Sequence, residues 1–216
     1  MKTHLEAVKR NQIRLLHRAG RSLAERGFYL GGGTALAVYL GHRVSMDLDW
    51  FTSLPMGDAL MLAESLRREG LGLVTVRTAP GTLHATMGGV QVSFFEFRYP
   101  LLQPVTPWKE MGCRLASLDD LACMKLAAIA QRGERKDFCD LYALGTKHRP
   151  LRELIRLYQR KFDVQDISSV LYGLVYFDDA ESGPMPRMLL KVRWDTIKAT
   201  IQEWVKDLAD REWTGR

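Results

Sequence analysis

The fold is decided by the stretch GGGTALAVYLGHRVSMDLDWF, residues 31–51. Residues 28–30, just before it, are apolar and predict a buried strand, and residues 35–40, closed by Gly41, predict a short helix. The glycines and Thr34 therefore form the turn between strand and helix. Glycine in such a turn lets backbone N–H groups approach a phosphate at a helix N-terminus. A tight turn also needs glycine for steric reasons alone, so the turn by itself leaves both interpretations open.

Asp47 and Asp49 lie in a second predicted strand, residues 46–51, and one residue separates them. Because side chains alternate along a strand, both carboxylates leave on the same face, with Cα atoms about 7 Å apart. Such a pair repels itself unless a cation lies between the two groups, and Mg²⁺ takes one or two protein carboxylates together with substrate phosphates. An edge strand with acidic residues that discourage aggregation is the alternative. The neighbouring Trp50 and Phe51 favour the metal site.

The remaining pattern divides the chain into two halves. Before residue 105 it predicts helices at 3–26 and 55–69 and strands at 73–78, 83–87 and 90–97, with a two-residue hairpin at Gly88-Gly89. After it, apolar residues recur with helical spacing and predict helices at 117–132, 135–144 and 151–162 and a long final helix around 197–208. We therefore expect an α/β lobe over residues 1–105 and a helical lobe over residues 106–216, packed tightly together.

Composition and missing motifs exclude several classes of protein. The 216 residues are 46% hydrophobic and 26% charged, which is ordinary for a globular chain and excludes general disorder. Three cysteines without close spacing argue against a disulfide framework or a zinc site. No signal peptide and no membrane-length apolar run is present, so we expect a cytoplasmic protein without a membrane partner. The sequence also lacks the P-loop, Rossmann, hydrolase-elbow and H-E-x-x-H motifs.

Positive charge is concentrated in two regions. The net charge is +6, and residues 1–50 carry eight Lys and Arg against four acids, while residues 109–160 carry eleven against seven. Two basic regions predict a continuous face for a phosphate-bearing partner, although solvated helix surfaces explain the charge equally well.

A second motif lies in the predicted helical lobe, where Lys125 precedes Lys136-Asp137-Phe138-Cys139-Asp140. On a helix, Asp137 and Asp140 share one side, and Lys136 can pair with Asp140. A surface pattern of salt bridges is the commoner explanation of such spacing. Asp119 and Asp120, just after Ser117, fit the first turn of a capped helix.

Residues 31–51 resemble the opening motif of the AbiEii/AbiGii toxin family of nucleotidyltransferases, and residues 117–144 resemble its second block. Residues 176–194 are similar to one bacterial branch of the family. The resemblance implies an α+β fold: a polymerase-β-like nucleotidyltransferase lobe with a mixed sheet, followed by a helical C-terminal lobe, with an active cleft between them.

The resemblance also implies roles for individual residues. Asp47 and Asp49 would bind Mg²⁺, Lys125 would approach the nucleotide phosphates, and Asp137 would be the catalytic acid of the second block. The remaining implied site residues bind nucleotide or line its site: Gly32, Gly33, Thr34, Arg43, Ser45, Lys136 and Asp140. The family fold often places a third carboxylate on a later strand, and here that position falls on Ser93, while alternation turns Glu96 to the opposite face.

The function implied is transfer of a nucleotidyl group from an NTP to an acceptor such as RNA or a tRNA end. The resemblance further implies the toxin of a bacterial toxin–antitoxin or abortive-infection system, with a cognate antitoxin protein as partner. One alternative is a catalytically degenerate member that binds nucleotide or RNA on the same fold and acts through a protein partner, with Ser93 marking the lost chemistry. Another is an interaction module whose principal ligand is the antitoxin.

Overall fold

The computed structural model describes the backbone of residues 3–213 and the side chains of residues 3–210. Its centre is a sheet with the strand order β3-β4-β5-β2-β1-β7-β6. The strands are β1 Tyr29–Leu30, β2 Leu48–Thr52, β3 Leu73–Ala79, β4 Thr82–Met87, β5 Val90–Glu96, β6 Thr106–Trp108 and β7 Cys113–Leu115. Strands β2 and β5 are parallel, as are β1 and β7, and the other neighbours are antiparallel. The sheet is therefore mixed, as predicted.

The helices described are α1 Arg10–Glu25, α2 Gly32–Leu40, α3 Ala59–Arg68, α4 Leu118–Gln131, α5 Arg135–Lys147, α6 Leu151–Phe162, α7 Ser168–Val175, α8 Asp178–Ser182 and α9 Trp194–Trp213. From α4 onward the described chain contains helices and loops, so the helical part begins at Leu118 and not at residue 106. Ser117 caps α4 by accepting a hydrogen bond from the Asp120 backbone N–H at 3.0 Å.

Three predicted elements need correction. The helix expected at 3–26 begins only at Arg10, because Val8 and Lys9 are extended after a 3-10 turn at Leu5–Ala7. The second strand begins at Leu48, so Asp47 lies in the loop just before it. Helix α5 continues through Gly145, where a Cβ would collide with the Trp204 ring. Gly145 is thus a packing position and not the end of the helix.

The sheet extends past the expected lobe boundary. Strands β6 and β7 lie after residue 105, and β7 pairs with β1 near the middle of the sheet. The boundary predicted at 105/106 therefore falls inside the sheet-forming part of the chain. Each of these strands has only three residues, which is too short to show a period-two pattern.

One hydrophobic core joins the two halves. A single cluster of buried residues runs from Val8 to Ile201 and includes residues of the sheet, of α2 and of α4 to α9. Helix α2 contacts α4 and α5 directly, so the halves pack tightly as expected. Within the described chain, no helix is both long enough and apolar enough to cross a membrane.

Candidate active site

A cavity of about 1020 Å³ lies between the sheet and the helical half. The sheet side of its wall includes Asp47, Asp49 and Ser93, and the helical side includes Lys125 and Arg132. The cavity thus brings Asp47 and Asp49 opposite Lys125 of the second motif, whereas Asp137 and Asp140 of that motif are not part of its wall.

The turn predicted for the glycines and Thr34 is wrong in its extent, because α2 already begins at Gly32 and only Gly31 precedes it as the N-cap. The glycines let charged groups pack against this first turn of α2. Gly32 has a positive φ of 60°, and a Cβ there would collide with Asp49 Oδ2. A Cβ on Gly33 would collide with Arg43 Nη2. Both glycines line the cavity, and so do the two side chains that a Cβ would displace. Glycine is therefore required here by the packing of the site.

Thr34 is placed differently from the two glycines. Its side chain is buried, it is outside the cavity lining, and its hydroxyl donates a hydrogen bond to the backbone carbonyl of Asp47. Gln12, which is also buried, donates to the same carbonyl through Nε2 at 3.4 Å. These two side chains hold the backbone of Asp47 in place. The contact of Gln12 spans 35 residues, and no local pattern in the sequence predicts it.

Asp47 and Asp49 form a pair of carboxylates that no other described residue neutralises by a hydrogen bond or ion pair. Both are half-buried and line the cavity. Burial and the charge of Asp47 raise the pKa of Asp49, while Lys125, Lys136 and Arg132 act in the opposite direction. Three cations of the helical half thus act on this carboxylate from across the cavity.

Asp140 anchors a buried group of charges behind the cavity wall. It accepts two hydrogen bonds from Arg43, from Nε at 2.6 Å and Nη2 at 2.8 Å, and its Oδ2 lies 2.7 Å from Lys125 Nζ. The buried His42 contacts its Oδ1 through Nε2 at 2.6 Å. Although burial opposes ionisation, Arg43 and Lys125 hold the pKa of Asp140 well below its usual range. Burial lowers the pKa of His42, while the contact with Asp140 acts in the opposite direction.

Asp137 has a similar environment. Lys125 Nζ donates to it at 2.8 Å and Arg132 Nε at 3.0 Å, and these cations outweigh burial and lower its pKa. Asp137 and Asp140 are both fully buried and outside the cavity lining, whereas Lys125 and Arg132 reach the cavity. Asp137 therefore acts on the cavity through the two cations that it holds.

The predicted pairing of Lys136 with Asp140 is wrong. Lys136 Nζ lies 2.8 Å from Glu134 and lines the cavity, because the buried oxygens of Asp140 are already taken by Arg43, Lys125 and His42. Arg43 and Ser45 also line the cavity and are almost fully buried. Arg132 was not predicted, since its contact with Asp137 crosses the break between α4 and α5, where helical spacing no longer applies.

Ser93 occupies the place that the sequence predicted for it. It pairs with Asp49 in the parallel register of β2 and β5 and lines the cavity. Glu96 is outside the lining, and its carboxylate accepts a hydrogen bond from the Met56 backbone N–H at 2.8 Å and pairs with Arg98 at 2.5 Å.

His84 also lines the cavity, which the sequence analysis did not predict. It lies opposite Ser93 on the neighbouring strand, and the two side chains are in contact. Counting back from the Gly88-Gly89 turn pairs Met87 with Val90 and therefore His84 with Ser93, so hairpin register could have identified it.

The far end of the cavity is aromatic. Its rings form a chain of contacts in which Phe97 and Tyr99 both meet Phe162 edge to face, at centroid distances of 6.4 and 4.7 Å. Phe51 and Phe95 stack at 5.1 Å nearer the carboxylate pair. All five rings line the cavity, which therefore has one charged end and one flat, apolar end.

The two basic regions contribute unequally to the cavity. From residues 1–50, Arg43 is the basic residue in the described wall, because the basic residues of α1 lie outside it. From residues 109–160, Lys125, Arg132, Arg135 and Lys136 line it, and Arg187 adds a charge from the loop after α8. That loop is bound to the segment after α2, where the Val44 N–H donates to the Arg187 carbonyl at 2.8 Å.

Solved nucleotidyltransferases share this fold, in which a mixed sheet with a carboxylate pair is closed by a cationic helical half. The nucleotidyltransferase toxin MenT4 from Mycobacterium tuberculosis matches it with a TM-score of 0.54 at 16% identity, over 91% of this chain and 82% of that one. A candidate nucleotidyltransferase from Helicobacter pylori matches with a TM-score of 0.50 at 16% identity, over 93% and 96% of the two chains.

The sequence comparison identifies the family. The profile of the nucleotidyl transferase AbiEii toxin, a type IV toxin–antitoxin system, matches residues 14–106 and 91–213. A curated relative, an uncharacterized protein of Aquifex aeolicus strain VF5, is 43% identical over 184 residues, which span 83% of this chain and 87% of the relative. The chain belongs to the AbiEii nucleotidyltransferase toxin family.

Proposed function

We propose that the chain transfers a nucleotidyl group from an NTP to a hydroxyl of an RNA acceptor, such as a tRNA end, as the toxin of a bacterial toxin–antitoxin pair. One observation carries the proposal: two unpaired carboxylates face Lys125, Arg132 and Lys136 across a cavity of about 1020 Å³. In-line attack on the α-phosphate requires positioned reactants and positive charge near the leaving pyrophosphate, and this arrangement offers both.

In this proposal the cavity binds the NTP in one orientation. Its triphosphate lies at the charged end, near the three cations and the N-terminus of α2, where Gly32 and Gly33 line the cavity. Its base lies at the aromatic end, where rings such as Phe97 and Tyr99 offer flat apolar faces for stacking.

Asp47 and Asp49 would hold Mg²⁺. Among the described residues no group of three or more His, Cys, Asp or Glu side chains is arranged around one point for a metal. Two carboxylates are nevertheless a fitting set, since Mg²⁺ commonly completes its shell with water and substrate phosphates. Burial and the charge of Asp47 raise the pKa of Asp49, which supports a cation as the missing partner of this pair. When bound, the ion would neutralise charge on the phosphoryl oxygens.

The other site residues position these groups. Thr34 and Gln12 fix the backbone of Asp47, and Asp137 orients Lys125 and Arg132 toward the phosphates. Asp140 joins Arg43 to Lys125 and so couples the two halves of the cavity wall. In this proposal Asp137 and Asp140 are positioning residues, and the cations that they hold touch the substrate.

The test is a transfer assay with each α-labelled NTP, Mg²⁺ and total bacterial RNA. We expect label in RNA with wild type and a loss of about 10³-fold or more with Asp47→Asn, which keeps size and removes charge. Asp178→Asn, at an exposed position outside the cavity lining, is the matched control and should transfer like wild type. Full transfer by Asp47→Asn would contradict the proposal.

The second candidate function is a nucleotide- or RNA-binding protein that has lost its chemistry and acts through a protein partner. Ser93 at the expected place of a third carboxylate favours it. If wild type binds Mg²⁺–NTP without transferring it and Ser93→Asp transfers, this second function is correct. Transfer by wild type excludes it.

We infer the acceptor from the charge of the cavity wall and the protein partner from the family. The cations of the cavity wall and Arg187 suit RNA phosphates, and binding to RNA should then weaken steeply with salt because counterions are released. Binding that does not depend on salt would favour a small-molecule or protein acceptor. A cognate antitoxin is the expected protein partner in this family, and the cytoplasm, which contains NTPs and RNA, is the proposed place of action.

A further inference from the structure

A row of polar side chains crosses the sheet beside the carboxylate pair. Asp49 on β2 pairs with Ser93 on β5, and Ser93 pairs with His84 on β4. Directly paired residues of neighbouring strands place their side chains on the same face, and all three line the cavity. The row continues to β3, where Arg77 pairs with His84 at the edge of the sheet.

The His84 ring is held on one side and open on the other. Its Nδ1 lies 3.1 Å from Ser93 Oγ, and the ring packs edge to face on Phe95 at 5.6 Å. Nε2 has no hydrogen-bond partner among the described residues, and the half-buried side chain borders the cavity. With Nδ1–H donating to Ser93 Oγ, Nε2 carries a lone pair that is free to accept a proton.

The His84 ring has an arginine on its β3 side and aspartates on its β2 side. Arg77, which is exposed and makes no ion pair with another described residue, lies on the β3 side. On the β2 side, Asp49 lies beyond Ser93, and Asp47 precedes it in the chain. Lys125, Arg132 and Lys136 belong to the helical wall opposite the sheet. His84 thus lies between the proposed Mg²⁺–NTP position and the sheet edge that carries Arg77.

We propose that His84, positioned by Ser93, is the catalytic base that accepts the proton of the acceptor hydroxyl. This role rests on the proposed function. The acceptor oxygen forms a bond to the α-phosphorus, and the bond from that phosphorus to the oxygen of the β-phosphate breaks. Pyrophosphate leaves with the electron pair of the broken bond, the hydroxyl proton moves to His84 Nε2, and solvent later removes it. The acceptor strand enters from the β3 side, where Arg77 can contact its phosphates.

The test uses His84→Gln, whose amide keeps hydrogen bonding to Ser93 without serving as a base. His17→Gln is the matched control, since His17 is exposed on α1 and outside the cavity lining. Single-turnover transfer from labelled NTP to RNA is measured from about pH 5 to pH 9, and Mg²⁺–NTP affinity is measured separately. Ser93→Ala tests the positioning contact.

We expect His84→Gln to lower the transfer rate by about 10²-fold or more, to flatten the acidic limb of the pH profile and to leave Mg²⁺–NTP affinity unchanged. Ser93→Ala should lower the rate less and keep that limb, because the imidazole remains. A wild-type rate and pH profile in His84→Gln would overturn the role of His84, and so would a loss of Mg²⁺–NTP affinity in place of rate. Absence of transfer by wild type would contradict the proposed function itself before any variant is compared.

Discussion

Two pairs of aspartates lie beside the same cavity in opposite surroundings. Asp137 and Asp140 are fully buried, and cations at 2.6 to 3.0 Å lower the pKa of each of them. Asp47 and Asp49 border the cavity and pair with no described side chain, and the pKa of Asp49 is raised by burial and by Asp47. The compensated pair holds the two halves of the chain together, whereas the uncompensated pair beside the cavity is the one that we propose binds a cation.

The largest effect on stability is expected when a compensated carboxylate is removed. Asp140→Ala leaves Arg43 and Lys125 buried without their shared partner, and we expect the free energy of unfolding to fall by about 3–5 kcal/mol. Urea denaturation at pH 7 measures it, with Asp178→Ala as the exposed control that should match wild type. A loss below about 1 kcal/mol would show that Asp140 is not the anchor of this group.

Lowering the pH should remove the stabilisation by Asp140 and Asp137 without a mutation. Because the pKa of Asp140 and of Asp137 is lower in the folded chain than in the unfolded chain, their stabilisation is present above the unfolded value of about 3.9 and is lost as pH falls through the folded values. The difference in unfolding free energy between wild type and Asp140→Ala should therefore shrink from pH 7 toward about pH 3. A difference that does not change with pH would contradict the charge-based explanation.

A smaller effect of opposite sign is expected at the uncompensated pair. The pKa of Asp49 is higher in the folded chain than in the unfolded chain. Below the unfolded pKa the carboxyl is protonated in both states and does not change the free energy of unfolding. As pH rises above that value, ionisation of Asp49 lowers the free energy of unfolding. Asp49→Asn should raise the melting temperature at pH 7 in the absence of Mg²⁺. The difference in melting temperature from wild type should disappear near about pH 4. Calorimetry of wild type and Asp49→Asn at the two pH values measures it. A lower melting temperature for the variant at pH 7 would show that Asp49 is compensated after all.

Much of the fold was predictable because its central elements follow local rules. The Gly88-Gly89 hairpin, the helix after the glycine turn and the capped start of α4 each depend on residues close together in the chain. Strands β6 and β7 were missed because three residues show no periodicity and their pairing depends on distant partners such as Leu30. Gly145 was misinterpreted because the ring that occupies its space comes from Trp204 in α9.

The site was predictable in its residue types more than in its contacts. Spacing and resemblance together identified Asp47, Asp49 and Lys125, which line one cavity. Spacing alone assigned Lys136 to Asp140, although Arg43 from the other half of the chain occupies that carboxylate. Helical periodicity relates only residues three or four positions apart, so it cannot predict a contact that spans 97 residues.

Thermal unfolding with Mg²⁺ and a non-hydrolysable NTP analogue tests the contrast between the two pairs most directly. At a ligand concentration of 100 Kd, the free energy of unfolding of wild type and of the Asp178→Asn control should rise by about 2.7 kcal/mol. Asp47→Asn, folded and as stable as wild type without ligand, should show almost no rise under the same conditions. An equal rise in Asp47→Asn would contradict the claim that the uncompensated carboxylates form the ligand site.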